Sequence, residues 1–311
     1  VTGSAGYIGN RLIRILLFCY GRKYRVTAID NCMYNQVPYL DIVHCPNFNP
    51  LCGDVRYTDY FEKIKDIPFD VVIPLAALVG APLCNKNPVD AWRINYNAVV
   101  KLVQQYPEAL IIFPNTNCGY GTTDGALCRE DTAMNPISVY AKTKCDAEKY
   151  ILDNCKKFVI LRLATVFGVS ERLRLDLMVN NFTYKAWSSG KIDIYEPEFM
   201  RNFVYIDDVV DVMITAMNSV EMHNNVFNVG NDDLNMSKIQ LAERIGTIVP
   251  VEIKIMEGSD QDKRNYVVSN EKLMRYYPTK SFTSIEYAIH QLVKVFNALG
   301  PISVSQHLGN D

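Results

Sequence analysis

Apolar and polar positions follow two different periods along the first half of the chain. Short runs rich in Val, Ile, Leu and Phe predict buried strands, whereas longer segments with apolar residues three or four apart predict helices. The predicted strands are residues 24–29, 69–75, 109–113 and 158–164, and the predicted helices are residues 6–20, 88–106 and 136–153. Because near-continuous apolar strands alternate with helices, we expect an α/β fold of the Rossmann type, a doubly wound parallel sheet with helices on both faces.

The pattern becomes less regular after residue 168. It predicts helices at 172–189, 206–217, 236–245 and 284–298, and a strand at 226–229. We assign residues 1–167 and 201–230 to a first domain, built on the parallel sheet. Residues 168–200 and 231–311 form the predicted smaller α/β substrate-binding lobe. Since no low-complexity linker separates the two parts, we expect them to share a cleft.

Only Val1 and Thr2 precede the first glycine of the chain. A glycine-rich turn that binds phosphate normally follows a buried parallel strand. We therefore expect a few apolar residues of this first strand to precede Val1 in the natural protein.

Composition excludes several classes of function. The 311 residues are 49% hydrophobic and 21% charged, with a net charge of −2, which is typical of a globular protein and gives no basic footprint for nucleic acid. The apolar runs are too short to cross a membrane. The nine cysteines are scattered and odd in number, which indicates reduced thiols of a cytoplasmic protein. The four histidines are not spaced with cysteines as zinc ligands, so we expect no metal.

The first motif is Gly3-x-x-Gly6-x-x-Gly9, which opens the first predicted helix. Glycines at this spacing allow a tight turn, close approach of a pyrophosphate and close helix–strand packing. Asp30 ends the next strand, about 20 residues further on, where a carboxylate accepts hydrogen bonds from the adenosine ribose. Asp30 would repel a 2′-phosphate and Asn31 is not basic, so NAD is favoured over NADP. Tyr7 and Ile8, within the motif, are also expected to contact the cofactor.

Two further segments are candidates for the cofactor site. Asp54 and Val55 follow a short strand and would approach the adenine, although a plain turn explains the spacing equally well. Leu75, Ala76 and Ala77 end the following strand, where small side chains let a cofactor lie close to the backbone.

The second motif is Tyr140-x-x-x-Lys144, within the predicted helix 136–153. Residues four apart share one face of a helix. A phenol has a pKa near 10 and is a poor base at neutral pH, but a neighbouring ammonium group favours the phenolate and lowers that pKa. We therefore expect Tyr140 to act as the base and Lys144 to lower its pKa and bind the nicotinamide ribose. Thr116, at the end of strand 109–113, is the candidate that holds the substrate hydroxyl.

These motifs resemble those of the extended short-chain dehydrogenase/reductases that act on nucleotide sugars, the NAD-dependent epimerase/dehydratase family. The resemblance covers nearly the whole chain and is carried by the glycine motif, Thr116 to Gly121, Tyr140-x-x-x-Lys144 and residues 201–208. Residues 74–84, 114–117, 163–168 and 174–177 are closer still to the GDP-heptose 4-dehydrogenases of bacterial capsule synthesis. The resemblance implies Thr116, Tyr140 and Lys144 as the catalytic set, and a homodimer formed through the helices at 88–106 and 136–153.

The resemblance also implies several substrate-binding residues. A cation at Arg201 would bind a nucleotide diphosphate, because a guanidinium matches phosphate geometry. The other candidates, each with an ordinary structural or surface role as its alternative, are Val79, Asn117, Cys118, Arg174, Asn180 or Asn181, and Arg264. GDP is implied as the nucleotide by the resemblance alone, and UDP stays open.

The residues after Thr116 bear on the reaction. Related 4,6-dehydratases have acidic groups at the next two positions, which in this chain are Asn117 and Cys118. An amide cannot shuttle a proton as a carboxylic acid does, so dehydration is disfavoured. Cys118 would allow epimerisation at C3 or C5 of a 4-keto sugar, with a buried cysteine of no chemical role as the alternative.

Three functions remain. The first is oxidation of the sugar C4 hydroxyl to a 4-keto sugar, with a 2-oxo acid as a second substrate that reoxidises NADH. The second is a sugar-nucleotide epimerase, which uses the same first step. The third is an NAD-binding regulatory protein, which the retained Tyr140, Lys144 and Thr116 disfavour.

Overall fold

The computed structural model describes residues 1–34, 37–258, 264–276 and 281–301. Its helices are α1 Tyr7–Cys19, α2 Thr58–Ile64, α3 Ala81–Lys86, α4 Pro88–Trp92, α5 Ala98–Gln105, α6 Val139–Asn154, α7 Met178–Ser189, α8 Ile206–Asn218, α9 Lys238–Gly246, α10 Glu271–Met274 and α11 Ile285–Leu299. Its strands are β1 Val26–Asp30, β2 Phe48–Cys52, β3 Val71–Val72, β4 Leu110–Thr116, β5 Thr122–Cys128, β6 Phe158–Leu163, β7 Thr165–Phe167, β8 Lys191–Ile194, β9 Met200–Tyr205, β10 Asn225–Val229, β11 Asn235–Ser237, β12 Glu252–Ile255 and β13 Asn265–Val268. Within these described parts, no helix is both long and apolar enough to cross a membrane.

The main sheet is parallel. Strands β10, β6, β4 and β3 pair in that order, and β1 pairs with β2. Thr2 joins the two groups, since it bridges Ile29 of β1 on one side and Pro74 on the other. The amide of Leu75 donates to the Thr2 carbonyl at 3.1 Å, and the amide of Ile29 donates to the Val1 carbonyl at 2.9 Å. The predicted doubly wound parallel sheet is confirmed.

Apolar residues cover the sheet on both faces. One core cluster contains Leu12 and Leu16 of α1 together with Met213 of α8. A second cluster contains Leu102 of α5 and Ile151 of α6. Strand β4 is buried along its whole length, as expected for a central parallel strand between two helical layers.

Short strands extend the fold beyond this sheet. Strand β9 pairs in parallel with β7 and antiparallel with β11, while β8 pairs with β12 and β5 with β13. The first core cluster continues from the main sheet into α7, α9 and α11 without a break. The division into an NAD-binding domain and a smaller lobe stays a prediction, and part of the predicted lobe (259–263, 277–280 and 302–311) lies outside the described residues.

Several predicted elements differ from the structure. The helix predicted at 172–189 is wrong in its first third, because α7 begins only at Met178. The helix predicted at 236–245 begins at Lys238, since residues 235–237 pair with β9 and Ser237 caps the helix in a capping box with Gln240. The strand predicted at 69–75 pairs regularly only at β3, because Pro74 has no amide hydrogen to donate.

The helix predicted at 88–106 is present but interrupted. It begins with Pro88 in its first turn, and Arg93–Asn97 form a π-helical segment between α4 and α5. Asn95, in that segment, accepts a hydrogen bond from the Leu78 amide at 2.9 Å and donates to the Thr143 hydroxyl at 3.1 Å. The π segment therefore joins α6 to the loop after β3, where the candidate site lies.

Candidate active site

A cleft of about 660 Å³ lies at the carboxyl ends of the parallel strands. This is where ligands bind in open α/β sheets. The predicted residues that line it are Gly3, Gly6, Tyr7, Ile8, Gly9, Asp30, Asn31, Asp54, Val55, Leu75, Ala76, Ala77, Val79, Thr116, Cys118, Tyr140, Lys144, Arg174, Arg201 and Arg264. Residues from distant parts of the sequence are thus brought to one cavity.

The glycine turn is held tightly between the sheet and α1. Gly3 has φ +65°, and a Cβ there would lie 2.5 Å from the Ala76 nitrogen. A Cβ at Gly9 would lie 2.3 Å from the Gly3 carbonyl oxygen. Gly6 begins α1, and within the described chain no side chain caps the amide groups of the first turn. These amides and the helix dipole provide an anion site at the helix N-terminus.

Asp30 is fixed by the backbone around it. Its two carboxylate oxygens accept hydrogen bonds from the Ala5 amide at 3.0 Å and the Cys32 amide at 2.8 Å. Burial raises the pKa of Asp30 above its usual value, while these hydrogen bonds act in the opposite direction. Each oxygen keeps a second lone pair, so Asp30 can also accept from ribose hydroxyls.

Asp54 belongs to an ionic group that sequence reasoning missed. Arg56 donates to Asp54 Oδ2 at 2.6 Å and to Asp90 at 2.7 Å, and Asn31 donates to the same Asp54 oxygen at 2.9 Å. Burial acts to raise the pKa of Asp54, but the hydrogen bonds from Arg56 outweigh it and the pKa is lowered. The carboxylate therefore remains charged at the wall of the cleft, with Arg56 as its partner.

Tyr140 and Lys144 face the cleft from the first turns of α6, which Ser138 caps by accepting a hydrogen bond from the Ala141 amide at 3.2 Å. The Lys144 ammonium lies 4.0 Å from the centre of the Phe113 ring. Burial lowers the pKa of Lys144 to about 7. Near neutral pH this group is therefore charged in only part of the molecules.

The net pKa shift of Tyr140 is opposite in direction to the one expected from its neighbour Lys144. Burial raises the pKa of Tyr140 above its usual value, and the neighbouring Cys118 and Cys84 add to the increase. Arg174 and Arg264 act in the opposite direction. The physical reason is that burial disfavours the phenolate and also weakens the positive charge on the lysine meant to stabilise it.

Thr116 ends β4 at the wall of the cleft. Its hydroxyl accepts a hydrogen bond from the Cys118 amide at 3.2 Å, which holds the following turn in place. Cys118 lines the cleft, and its Sγ accepts a hydrogen bond from the Arg264 guanidinium. Asn117 is fully buried and is not among the described lining residues. Its role as a substrate ligand stays a prediction.

A buried ion pair links α6 to the neighbouring strands, and α6 and β4 carry the three catalytic candidates. Glu148, one turn beyond Lys144 on α6, accepts a hydrogen bond from Arg162 of β6 at 2.6 Å. Their side chains are only 5% and 6% exposed. Asn115, next to Thr116, donates to the other Glu148 oxygen, and Arg162 also donates to the Tyr120 hydroxyl at 2.9 Å. One network thus ties α6 to the strand end that carries Thr116.

The predicted arginines Arg174, Arg201 and Arg264 also line the cleft. Arg174 is paired with Asp176, with its Nε 3.1 Å from the nearer carboxylate oxygen, and its side chain is 11% exposed. Arg201 is 1% exposed and donates to the Met200 carbonyl at 2.9 Å and to the Arg264 carbonyl. The segments that carry Arg201 and Arg264 are therefore joined at the cleft.

Asn180 and Asn181 bind backbone groups next to the cleft. Asn180 is fully buried, accepts a hydrogen bond from the Gly168 amide at 2.9 Å and donates to the Arg174 carbonyl at 2.9 Å. Asn181 donates to the Leu175 carbonyl at 2.9 Å. Neither is among the described residues that line the cleft. Their amides hold the 168–177 segment, so they act on Arg174 through the backbone.

Sequence reasoning missed Arg172, Asp176, Tyr34 and Tyr266, which also line the cleft. The sequence did contain a pattern that indicates Arg172 and Asp176. Arg172, Arg174 and Asp176 occur at every second position, with the buried Leu173 and Leu175 between them, and this is a period of two within what had been predicted as a helix.

A parallel doubly wound sheet with a glycine turn and an acidic residue at the next strand end defines a dinucleotide-binding protein. The family model described as the NAD dependent epimerase/dehydratase family matches residues 1–230. The protein belongs to this family, and NAD is its cofactor. The prediction of an NAD-dependent enzyme is confirmed, and the glycine turn and Asp30 fit this cofactor.

Relatives and solved structures agree with the family. The chain is 26% identical over 290 residues to a UDP-glucose 4-epimerase from Lactobacillus helveticus, covering 84% of this chain and 86% of that protein. A crystal structure of a UDP-glucose 4-epimerase from Thermotoga maritima with UDP-glucose superposes with a TM-score of 0.81, at 22% identity and 96% and 97% coverage. A dTDP-glucose 4,6-dehydratase from Bacillus anthracis in complex with NAD superposes with a TM-score of 0.80, at 19% identity and 96% coverage of each chain.

Proposed function

We propose that the protein oxidises the C4 hydroxyl of a nucleotide-diphosphate sugar and releases the 4-keto sugar, with a GDP-heptose or GDP-hexose as substrate. The observation that carries this proposal is that Thr116, Tyr140 and Lys144 line the same cleft as Asp30 and the glycine turn. A hydroxyl, a phenol and an amine at the nicotinamide end of a dinucleotide site are suited to removing a proton and a hydride from an alcohol.

Each residue has a distinct role in this step. Thr116 holds the C4 hydroxyl, and the Tyr140 phenolate accepts its proton. Lys144 donates to the nicotinamide ribose and, when protonated, adds to the positive charge that favours the phenolate. NAD held by the glycine turn and Asp30 would supply the hydride acceptor. Burial raises the pKa of Tyr140, so the phenolate forms only with positive charge nearby. Arg174 and Arg264 contribute to this positive charge.

Dehydration is disfavoured by the chemistry of the cleft. Elimination of water after oxidation needs an acid near the sugar C6 hydroxyl. The carboxylates among the described lining residues are Asp30, Asp54 and Asp176. The first two lie toward the adenosine end, and Asp176 is paired with Arg174. The position after Thr116 supplies only a buried amide.

Positive charge near Tyr140 favours net oxidation. The guanidinium groups of Arg174 and Arg264 are close enough to influence the pKa of Tyr140, at the end of the cleft where a neutral sugar carries no anion. A carboxylate is a natural partner for guanidinium. Because Arg174 already has Asp176 as its partner, Arg264 is the candidate that would bind the carboxylate of a 2-oxo acid. This second substrate would enter after the keto sugar leaves and be reduced. Arg201 remains the candidate for the nucleotide diphosphate.

A 4-epimerase is the second candidate. It is favoured by the relatives named above, two of which are UDP-glucose 4-epimerases. In that reaction the keto sugar turns over in the cleft and the hydride returns to its other face, so that no second substrate is needed. Epimerisation at C3 or C5 would instead use the Cys118 thiol to move a proton at the carbon next to the ketone.

Product analysis separates these functions. The purified protein is incubated with GDP-heptose, GDP-mannose or UDP-glucose, with and without a 2-oxo acid, and the products are weighed by mass spectrometry. Net oxidation gives a product two mass units lighter, and its yield rises with the 2-oxo acid. An unchanged mass with altered NMR signals supports the epimerase, and loss of 18 mass units contradicts the argument against dehydration.

We also propose a homodimer formed through α4, α5 and α6. Val89 and Trp92 of α4 are 62% and 37% exposed, and Leu152 of α6 is 44% exposed. Trp92 packs against Tyr96 in an edge-to-face arrangement at 5.5 Å, which extends the apolar surface. Sedimentation at increasing concentration tests this, with Val89→Glu as the variant expected to shift the mass toward the monomer.

A further inference from the structure

A strip of alternating side chains runs along one wall of the cleft. Arg172, Arg174 and Asp176 line the cavity, while Leu173 and Leu175 between them are 7% and 0% exposed. The two leucines anchor the strip in an apolar cluster with Tyr184, Leu292 and Phe296. The two buried leucine side chains therefore hold this segment so that its charged side chains line the cleft.

The two arginines of this strip lie close together but have different further neighbours in the cleft. The charge of Arg174 acts on Tyr7 and Tyr140, near the reacting centre. The guanidinium of Arg172 lies 4.0 Å from the centre of the Tyr34 ring. Its charge also acts on Asp30, the residue that receives the adenosine ribose. Arg172 therefore lies beside Tyr34 and near Asp30, in the part of the cleft expected to hold the adenosine.

Burial and stacking prepare Arg172 for an anion. Burial lowers the pKa of Arg172 below its usual value, but an arginine remains charged at neutral pH. Stacking on Tyr34 fixes the plane of the guanidinium, which reduces the conformational freedom lost when it binds. A planar fork of donors fixed in this way suits the two oxygens of a phosphate.

The anions of the cofactor are its phosphates. The glycine turn supplies backbone amides on one side of the pyrophosphate but no full positive charge. We propose that Arg172, which lines the same cleft, binds a phosphate of the dinucleotide, so that the segment after residue 168 completes the cofactor site. The pyrophosphate of NAD and the 2′-phosphate of NADP offer the same chemistry, and the experiment distinguishes them.

This inference depends on the dinucleotide alone, not on the sugar or on the reaction. It is therefore tested by equilibrium binding without any sugar substrate. Isothermal titration calorimetry measures the Kd of NAD, NADP and adenosine for the unmodified protein and for Arg172→Met. The matched control is Arg22→Met, which removes an exposed arginine from the 21–23 turn, outside the cleft.

We expect Arg172→Met to weaken NAD binding by about 10- to 100-fold, as for loss of a hydrogen bond to a charged group. Adenosine binding and the control variant should change by less than twofold. A loss confined to NADP assigns Arg172 to the 2′-phosphate and still supports a phosphate contact. Unchanged binding of both dinucleotides, or an equal loss for adenosine, overturns the proposal.

A second variant guards against a folding defect. Arg172→Lys keeps the charge but loses the planar fork, so we expect NAD affinity between those of the parent and Arg172→Met. Circular dichroism and the midpoint of thermal unfolding without ligand should match the parent for both variants. The proposal also fails if raising the salt concentration weakens NAD binding equally in the parent and in Arg172→Met, because the lost contact is ionic.

Discussion

Replacing Glu148 with Gln perturbs the buried network that joins the catalytic helix to the sheet. In the parent protein the Glu148 carboxylate accepts a hydrogen bond from Arg162 at 2.6 Å and a second bond from Asn115. The two charged side chains are 5% and 6% exposed, so water cannot replace a lost partner. Glutamine has nearly the same shape but carries no charge, which leaves Arg162 buried without its counter-ion.

The expected loss of stability is large. Removing one partner of a buried ion pair typically costs about 3–5 kcal/mol, because the remaining charge is desolvated without compensation. Arg162 keeps its bonds to the Tyr120 hydroxyl at 2.9 Å and the Glu130 carbonyl at 3.0 Å, which places the loss toward the lower end of that range. Replacing both partners, as in Glu148→Gln with Arg162→Met, should recover much of this loss.

Urea denaturation followed by circular dichroism measures the free energy of unfolding of each variant. The matched control is Glu286→Gln, whose partner Arg244 lies at 2.8 Å but whose side chains are 41% and 49% exposed. An exposed pair of this kind should cost at most about 1 kcal/mol. Equal losses for Glu148→Gln and Glu286→Gln would refute the reasoning, because burial would then have no bearing on the cost.

Four further predictions follow from the site. Tyr140→Phe should lower kcat by at least about 100-fold with NAD affinity unchanged, measured by NADH formation and calorimetry, and near-normal turnover would exclude Tyr140 as the base. Because burial lowers the pKa of Lys144 to about 7, the folded state binds fewer protons than the unfolded state above that pH. Unfolding free energy without ligand should therefore rise with pH between about 7 and 10, by at most about 1.4 kcal/mol per pH unit, relative to Lys144→Met; parallel profiles would contradict this. Asn180→Ala should cost about 2–3 kcal/mol of stability in denaturation, because buried backbone groups lose their partners, and a normal stability with a raised KM would restore it as a substrate ligand. Gly9→Ala should abolish NAD binding or folding, since its Cβ would lie 2.3 Å from the Gly3 oxygen, and normal calorimetry would show that the turn can adjust.

Much of the cofactor half was predictable because its chemistry is local in sequence. The glycine spacing and the position of Asp30 follow from one strand–turn–helix unit and the strand after it, and the periodicity of α1 and β1 marks both elements. Tyr140 and Lys144 share a helix face for the same reason. The GDP-heptose preference, the domain boundaries and the roles of the individual site residues stay proposals.

The errors arose where contacts distant in sequence decide the conformation. Residues 172–176 have the composition of a helix, but burial of Leu173 and Leu175 on one side and the cleft on the other gives them a period of two. Asn117 follows Thr116 directly, yet it is fully buried in the turn after β4 and does not line the cleft. Asn180 is only six residues from Arg174 in the sequence, but its amide is hydrogen-bonded to the backbone of Gly168 and Arg174.

The class of fold, the dinucleotide site and the pairing of Tyr140 with Lys144 could be predicted from the sequence. Periodicity, glycine spacing and helical spacing are patterns that extend over only a few residues. The tertiary structure sets the pKa values of that pair, since burial raises the pKa of Tyr140 and lowers that of Lys144. It also decided which distant charges meet at the cleft, among them Arg172 near Asp30 and Arg264 at Cys118. Desolvation and charge–charge contact depend on three-dimensional neighbours, which no local pattern of residues specifies.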